Sequence, residues 1–183
     1  MKKAILIATM LLAAQAATVA RAAEPSITVL LAGGAEANTI SISLSADGRT
    51  YTIESGSPLE VGGSVCWHPE ANPNELVCEA QQIASFEVNA GAGDDWVSVA
   101  PGVSVPTTLR GGPGDDRLIG GSGDDKLIGG SGDDFLNGHA GSDSLFGGPG
   151  DDKLIGGSGN DLLRGEAGED VLIGGSGHNE LFP

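Results

Sequence analysis

The 183-residue sequence has few aromatic residues, few histidines and little positive charge. Aromatic residues make up 4% of it, and nine Lys and Arg stand against 25 Asp and Glu, which gives a net charge of −16 at pH 7. Such an acidic surface repels phosphate backbones, so we predict no nucleic acid among the partners. His68, His139 and His178 lack the spacing of a zinc site and stand in no nucleophile motif, so we predict that the chain is not an enzyme.

Long hydrophobic runs are also scarce, and the one candidate lies at the start of the chain. A basic start at residues 1–3 precedes an apolar run at residues 4–14, and small residues flank Arg21 where signal peptidase cleaves. A membrane helix is the alternative, but about 11 residues fall short of the roughly 20 needed to span a bilayer. We predict a signal peptide over residues 1–22 and no membrane span. This leader holds three bases, so the mature chain would carry a charge of −19.

The sequence contains only two cysteines, Cys66 and Cys78, which are 12 positions apart. In an exported chain the default for such a pair is a disulfide. The segment between them contains Pro69 and Pro73, as expected for a turn-rich loop. A metal-binding pair and a catalytic thiol are the alternatives.

Glycine, in contrast, is abundant and regularly spaced from Gly111 to Phe182, where the sequence repeats every nine residues. Glycine fills the first and fourth places of all eight units, and leucine fills the eighth place of all eight. Aspartate fills the sixth place of seven units, and Asn179 replaces it in the last. The units are GGPGDDRLI, GGSGDDKLI, GGSGDDFLN, GHAGSDSLF, GGPGDDKLI, GGSGNDLLR, GEAGEDVLI and GGSGHNELF.

Each place in the unit has a chemical explanation. Glycines at the first, second and fourth places allow a sharp turn with positive φ and let carbonyl oxygens crowd around a cation. The aspartate supplies a hard carboxylate oxygen, the ligand type that calcium prefers. The last three residues form a short strand whose middle side chain, the leucine, points inward. Two units then make one flattened coil of 18 residues, and successive coils pair their strands in parallel.

The pattern G-G-x-G-x-D-x-U-x resembles the RTX (hemolysin-type calcium-binding repeat) family. The resemblance implies an all-β, right-handed parallel β-roll, a β-solenoid, that binds several calcium ions, each between the turns of units n and n+2. It places Asp116, Asp134, Asp152 and Asp170 along one edge of the roll, and Asp125, Asp143 and Asp161 along the other. Eight units give about six such ions, one of which depends on Asn179. The glycines expected at these sites are Gly112, Gly114, Gly121, Gly123, Gly130, Gly132, Gly148, Gly150, Gly157 and Gly159.

Degenerate units extend the pattern upstream of the regular repeats. Residues 90–98 keep the motif except for its first glycine and add Asp95 to the expected calcium ligands. Residues 102–110 place Leu109 at the eighth position but contain no acid, and residues 33–41 are a weaker echo.

The N-terminal part of the mature chain, residues 23–89, has strand-like patterns over residues 26–31, 38–44 and 83–88. Asp47-Gly48 predicts a two-residue hairpin turn before a strand at residues 50–54. We expect this β region to cap the roll, because an open coil end exposes unpaired strand groups. The predicted organisation is a signal peptide (1–22), an N-terminal β region (23–89), degenerate repeats (90–110) and a calcium-binding β-roll (111–183).

The charge of the repeats makes calcium part of the expected fold. Residues 111–182 hold fourteen acids and four bases, a net charge of −10. One buried leucine per nine residues also falls short of the backbone entropy lost on folding. Metal binding would convert this repulsion into ligation, and its free energy would become folding free energy.

Two other functions compete with simple calcium binding. The ninth places include Ile119, Ile128 and Phe146, and an exposed stripe of such residues would suit an adhesive protein with a cell-surface partner or self-association. The second competing function is that of an accessory domain of a secreted enzyme, although residues 23–89 show no catalytic motif. Many RTX proteins leave the cell by an exporter that reads a C-terminal signal, yet here the repeats run to within one residue of Pro183. We therefore expect the general secretory route and an extracellular or periplasmic product.

Overall fold

A computed structural model describes residues 36–56, 66–69 and 72–183. Within these residues the chain is nearly all strand, with one 3-10 turn at Ala80–Gln82 and no α-helix, which confirms the predicted fold class. No helix in the described ranges is long and apolar enough to cross a membrane. The predicted signal peptide and the predicted strand at residues 26–31 lie outside the described residues. The strands are β1 (Thr39–Leu44), β2 (Thr50–Ser55), β3 (Cys66–Trp67), β4 (Glu75–Glu79), β5 (Phe86–Asn89), β6 (Trp96–Val99), β7 (Thr107–Pro113), β8 (Arg117–Ile119), β9 (Lys126–Ser131), β10 (Phe135–Ala140), β11 (Ser144–Pro149), β12 (Lys153–Ser158), β13 (Leu162–Ala167), β14 (Val171–Ser176) and β15 (Glu180–Phe182).

These strands form two sheets wound as a β-solenoid. The nine-stranded sheet has the order β14-β12-β10-β8-β6-β1-β2-β4-β3, and the six-stranded sheet has the order β15-β13-β11-β9-β7-β5. The chain alternates between the sheets, so each strand from β8 onward pairs in parallel with the strand one coil away. Leu136, for example, pairs with Leu118 on one side and with Leu154 on the other. The 18-residue coil predicted from the nine-residue period is confirmed.

The eighth-place leucines fill the interior between the sheets. In a three-residue strand the middle side chain faces opposite to its two neighbours, so it alone points inward. Leu172 is only half-buried and Leu181 is 42% exposed, because they lie in the last coil. Those with no exposed surface are Leu109, Leu118, Leu127, Leu136, Leu145, Leu154 and Leu163.

The sheets of the roll continue upstream of residue 90. In the nine-stranded sheet, Ile40 pairs in parallel with Val97, and in the six-stranded sheet Val88 pairs with Leu109. Ile40 and Val88 therefore occupy the position of the repeat leucines, and both are buried. The described part of the weak echo, which includes β1, thus continues the nine-stranded sheet of the roll.

A β-hairpin extends the nine-stranded sheet beyond β1, where β2, β4 and β3 pair in antiparallel fashion. The hairpin between β1 and β2 has a four-residue loop at residues 46–49, because the Ser45 N–H donates to the Thr50 carbonyl. The prediction of a two-residue turn was therefore wrong. The Asp47 carboxylate accepts a hydrogen bond from the Ser45 hydroxyl, and Gly48 has φ +71°, so both turn residues serve the longer loop instead.

The two cysteines form the predicted disulfide. Cys66 of β3 lies directly opposite Cys78 of β4, with 4.1 Å between their Cα atoms. Cys78 is fully buried beside the core of the N-terminal region. The bond therefore joins the outermost strand of the nine-stranded sheet to its neighbour.

Reduction of this disulfide is expected to act locally. It should lower the stability of the N-terminal region by about 3 kcal/mol, the value for a loop of this length, and leave calcium binding by the repeats intact. Denaturant unfolding and calcium titration of oxidised and reduced protein would measure both effects. Mass mapping that finds both thiols free in exported protein would contradict the bond itself.

Candidate metal centre

The turns that connect the two sheets lie along two edges of the roll, and the sixth-place residues stack along them. The first edge carries turns that lead into the nine-stranded sheet, and the second edge carries turns that lead into the six-stranded sheet. The first edge is defined by Asn38, Asp95, Asp116, Asp134, Asp152 and Asp170. The second edge is defined by Thr107, Asp125, Asp143, Asp161 and Asn179. The two predicted columns of aspartates are therefore observed.

One side-chain oxygen of each sixth-place aspartate, and of Asn179, joins its turn to the turn one coil earlier. The backbone N–H of Asp116 donates to Oδ1 of Asp134 at 2.8 Å, and the N–H of Asp134 donates to Oδ1 of Asp152 at 2.8 Å. The same bond recurs along both edges, and on the second edge it ends with the N–H of Asp161 donating to Oδ1 of Asn179. These bonds satisfy the sixth-place N–H of every turn except the two in the last coil, which the sequence pattern alone did not indicate.

The other carboxylate oxygen, Oδ2, has no hydrogen-bond partner along most of both edges. Sixth-place aspartates such as Asp134 and Asp143 are only 1–2% exposed, so an unpartnered charged oxygen there is costly. A bound cation would remove that cost. The unpartnered Oδ2 atoms belong to Asp95, Asp116, Asp134, Asp143, Asp152, Asp161 and Asp170.

The glycines shape the space around these oxygens in two ways. At the second and fourth places φ is positive, as at Gly112 (+127°) and Gly114 (+137°), and their carbonyl oxygens lie where a Cβ of Gly130 or Gly132 would be. At the first place, as at Gly111, φ is not in the positive range. Glycine is needed there because a Cβ would overlap the carboxylate of the same unit. The prediction of positive φ at the first place was therefore wrong.

Burial raises the pKa of the sixth-place carboxyls well above their ordinary value. The pKa of Asp134 and that of Asp143 rise to about 7, and the pKa of Asp116 and that of Asp152 rise to about 6. The main cause is loss of solvation, which disfavours the charged form, and neighbouring carboxylates add to it. The hydrogen bond that each accepts from a backbone N–H acts in the opposite direction. Burial at these positions therefore disfavours a carboxylate whose charge is not balanced by a proton or a cation.

Asp125 differs from the other predicted ligands. Its Oδ1 accepts hydrogen bonds from the N–H and the hydroxyl of Thr107, and its Oδ2 accepts one from the N–H of Gly121 at 2.7 Å. Gly121 and Gly123 also lack the positive φ of their counterparts in other units. Gly121 and Gly123 differ because the unit one coil earlier, residues 102–110, has no glycine-rich turn on which they could stack. Both oxygens of Asp125 are thus occupied by donors from the protein.

Asn38 and Thr107 hold sixth places that we did not predict as parts of the edges. The N–H of Asn38 donates to Oδ1 of Asp95 at 2.6 Å, and Thr107 contacts Asp125 as described above. Both could be found by counting two places back from the buried residues Ile40 and Leu109. No group of three or more His, Cys, Asp or Glu side chains capable of holding a metal occurs among the described residues. Any cation in the turns must therefore rely on backbone carbonyls as well as carboxylates.

The bases of the repeats lie on the outer faces of the sheets rather than at the edges. They contact aromatic rings there, which is favourable for a cation over a π-face. In the described part of the chain, no ion pair joins a base to a sixth-place carboxylate, so the protein itself leaves the edges uncompensated. The pairs are Arg117 with Phe135 (4.1 Å) and with Trp96 (5.5 Å), Lys126 with Phe146 (5.4 Å), Lys153 with Phe135 (5.8 Å) and Arg164 with Phe182 (5.0 Å).

Comparison with known families gives a match at the repeats. The RTX calcium-binding nonapeptide repeat, described as four copies, matches residues 110–145 and again residues 146–181. Comparison with curated proteins and with solved structures finds no match. The two matched ranges contain the stacked turns and all eight leucines of the regular repeats. Residues 110–181 are therefore RTX calcium-binding nonapeptide repeats.

Proposed function

We propose that this is an exported protein whose β-roll folds by binding several calcium ions, about six, between stacked turns. The observation that carries the proposal is the row of buried Oδ2 atoms without a partner along the two edges. Calcium binds extracellular modules at about 10⁻⁴–10⁻³ M, so such a chain would stay loose at low calcium and fold on reaching a calcium-rich exterior.

The residues of the turns fit a calcium ion. On the first edge, Oδ2 of Asp134 would supply the carboxylate ligand, and the carbonyl oxygens of Gly112 and Gly114, which face the next turn, would supply neutral oxygens. An all-oxygen set of this kind suits calcium rather than zinc, which prefers nitrogen and sulfur. Bound calcium would neutralise the turn carboxylates and hold successive coils together.

The proposal is tested by replacing two sixth-place residues that differ in position. Asp134→Ala should weaken two adjacent sites, because Asp134 lies between Asp116 and Asp152 in the first edge. Asn179→Ala should affect at most one site, since Asn179 faces only Asp161 and brings no charge. Calorimetric calcium titrations of the two variants should show the larger loss of bound ions for Asp134→Ala. Equal losses would contradict the assignment of ions between turns n and n+2.

The raised pKa values of the sixth-place carboxyls predict a pH dependence for the calcium-free protein. A folded-state pKa above the unfolded value near 3.9 means that protonation favours the folded roll. This stabilisation is complete below about pH 4 and is lost as the pH rises through 6–7, the pKa values of Asp116, Asp134, Asp143 and Asp152. Circular dichroism in calcium-free buffer should therefore show more β-structure at pH 5 than at pH 8. Equal β-structure at the two pH values would show that these carboxyls are solvated in the calcium-free chain.

Export rests on the predicted signal peptide at residues 1–22 and on the Cys66–Cys78 disulfide, which suits an oxidising compartment. We propose cleavage after Ala22 by the general secretory route and an extracellular or periplasmic destination. The absence of enzyme activity is likewise part of this proposal. Mass spectrometry of the exported protein would identify its N-terminus.

An adhesive function has narrower support. Ninth-place residues in the middle of the roll, such as Ile128 and Phe146, are half-buried by their neighbours. The clearly exposed ones are Ile173 (45%) and Phe182 (47%), which both lie in the last coil. Self-association would therefore be expected to involve this coil, and sedimentation of the calcium-loaded protein would detect it.

A further inference from the structure

The unpartnered carboxylate oxygens are divided unequally between the two edges. Both edges belong to the same coils, yet the first edge holds five of these Oδ2 atoms and the second edge holds two. On the first edge they belong to Asp95, Asp116, Asp134, Asp152 and Asp170, and on the second edge to Asp143 and Asp161. The two edges therefore differ in their capacity for a cation.

At both ends of the second edge, the sixth-place side chain forms hydrogen bonds with neutral groups of the protein. At its start, the two oxygens of Asp125 accept bonds from Thr107 and Gly121. At its end, Asn179 stands in place of an aspartate, and its side-chain amide donates to the Gly175 carbonyl at 3.3 Å. Only the middle of this edge keeps carboxylate oxygens that lack a donor.

The fifth-place residues, which lie next to the sixth-place ones but are exposed, increase the difference. On the first edge they form an unbroken acidic column in which each side chain except the last accepts a hydrogen bond from the N–H one coil later, as Oδ1 of Asp133 does from Asp151 at 2.8 Å. The column consists of Asp94, Asp115, Asp133, Asp151 and Glu169. On the second edge the equivalent residues are Asp124, Ser142, Asn160 and His178, of which only the first is an acid.

We propose that the two edges form two classes of calcium site, of which the first edge binds more ions and binds them more tightly. This inference rests on the proposed calcium binding and specifies how it is divided. Each exposed carboxylate a few ångströms from a divalent ion strengthens its binding by about fivefold in a largely aqueous environment. The first edge then fills at lower calcium and folds the coils. The second edge, whose turns are brought together by the same coils, fills afterwards.

A matched pair of substitutions separates the edges. Asp133 and Asn160 both hold exposed fifth places, and Oδ1 of each accepts a backbone N–H one coil later, at 2.8 Å for Asp133 and 2.9 Å for Asn160. Asp133→Asn and Asn160→Asp keep that acceptor and change one charge in opposite directions. In calorimetric titrations of residues 23–183, followed in parallel by circular dichroism, the unsubstituted protein should show two binding phases. The larger first phase should coincide with the gain of β-structure.

The expected effects are specific to each phase. Asp133→Asn should weaken the first phase by about fivefold and leave the second unchanged, whereas Asn160→Asp should tighten the second phase by about fivefold and leave the first unchanged. Amide resonances of Gly130 and Gly157, which lie on opposite edges, would assign each phase to its edge. A single phase that both variants shift alike would overturn the two classes while leaving calcium binding intact. No uptake of calcium at millimolar concentration would overturn the proposed function itself.

Discussion

Removal of calcium is expected to unfold residues 111–182 and to leave the N-terminal region folded. The repeats carry a net charge of −10 and bury carboxylate oxygens that have no partner in the protein. Without a cation, either these groups take up protons or the coils separate into solvent, and at neutral pH separation is the expected outcome. Most of the strand residues in the described part of the chain lie in these coils, so this is the largest effect that we predict.

The N-terminal region has other sources of stability. Its core contains large apolar side chains, and the ring of Tyr51 packs edge-on against that of Phe86 with 5.0 Å between centroids. The Cys66–Cys78 bond adds a covalent link. Burial of this apolar surface requires no metal.

Hydrogen–deuterium exchange read out by mass spectrometry would test both halves of this prediction. In excess chelator, peptides from residues 111–182 should lose protection, and peptides from residues 39–55 and 75–89 should keep it. Restoring calcium should restore protection of the repeats, whereas magnesium should do so poorly because it requires a tight octahedral shell. Repeats that stay fully protected in chelator would show that calcium is not needed for their fold.

The second large effect concerns the leucine interior. Leu136→Ala should lower the stability of the calcium-loaded protein by about 2–5 kcal/mol, because it opens a cavity between two sheets that cannot close on each other. Leu136 has no exposed surface and stacks between Leu118 and Leu154. Urea unfolding of the variant and of the unsubstituted protein in saturating calcium would measure the difference in stability.

Leu181→Ala is the matched control at the same place of the repeat. Leu181 is 42% exposed and has a neighbour only on one side, Leu163. Its replacement should therefore cost less than about 1 kcal/mol, in proportion to the smaller area removed from water. If the two variants were equally destabilised, the interior would not be packed in the layers that the structure shows.

The nine-residue period was sufficient to predict the coil length and the inward leucines, and the resemblance to the RTX family implied the two aspartate columns. The coil length follows from the return of the chain after two units, and the inward leucines follow from the alternation of side chains along a strand. The start of the roll could not be predicted in the same way. Ile40 and Val88 occupy leucine positions, but their units have lost glycines or acids of the turn. Only a weak echo in the sequence pointed to Ile40, and the pairing of strands is needed to identify Val88.

The details of the edges also depend on contacts between residues that are far apart in sequence. A carboxylate that uses one oxygen for an N–H of the preceding coil and leaves the other without a donor looks the same in sequence as one that binds a cation with both. Asp125 matches the motif as well as Asp134 does, yet Thr107 and Gly121 occupy its oxygens. That difference arises from the unit 18 residues earlier, which lacks a glycine-rich turn.

The alternation of turns between the edges constrains how a gene for such a chain can grow or shrink. Deletion of one nine-residue unit would leave the strands paired, because every unit offers the same leucine and the same turn. It would also move every later turn to the opposite edge. If the unit that contains Asp134 were deleted, for example, Asp143 would stack on Asp116, and Ser142 and Asn160 would interrupt the acidic column at the fifth places. Duplications and deletions of 18 residues keep both columns intact. Changes in repeat number that preserve the asymmetry of the roll should therefore occur in pairs of units.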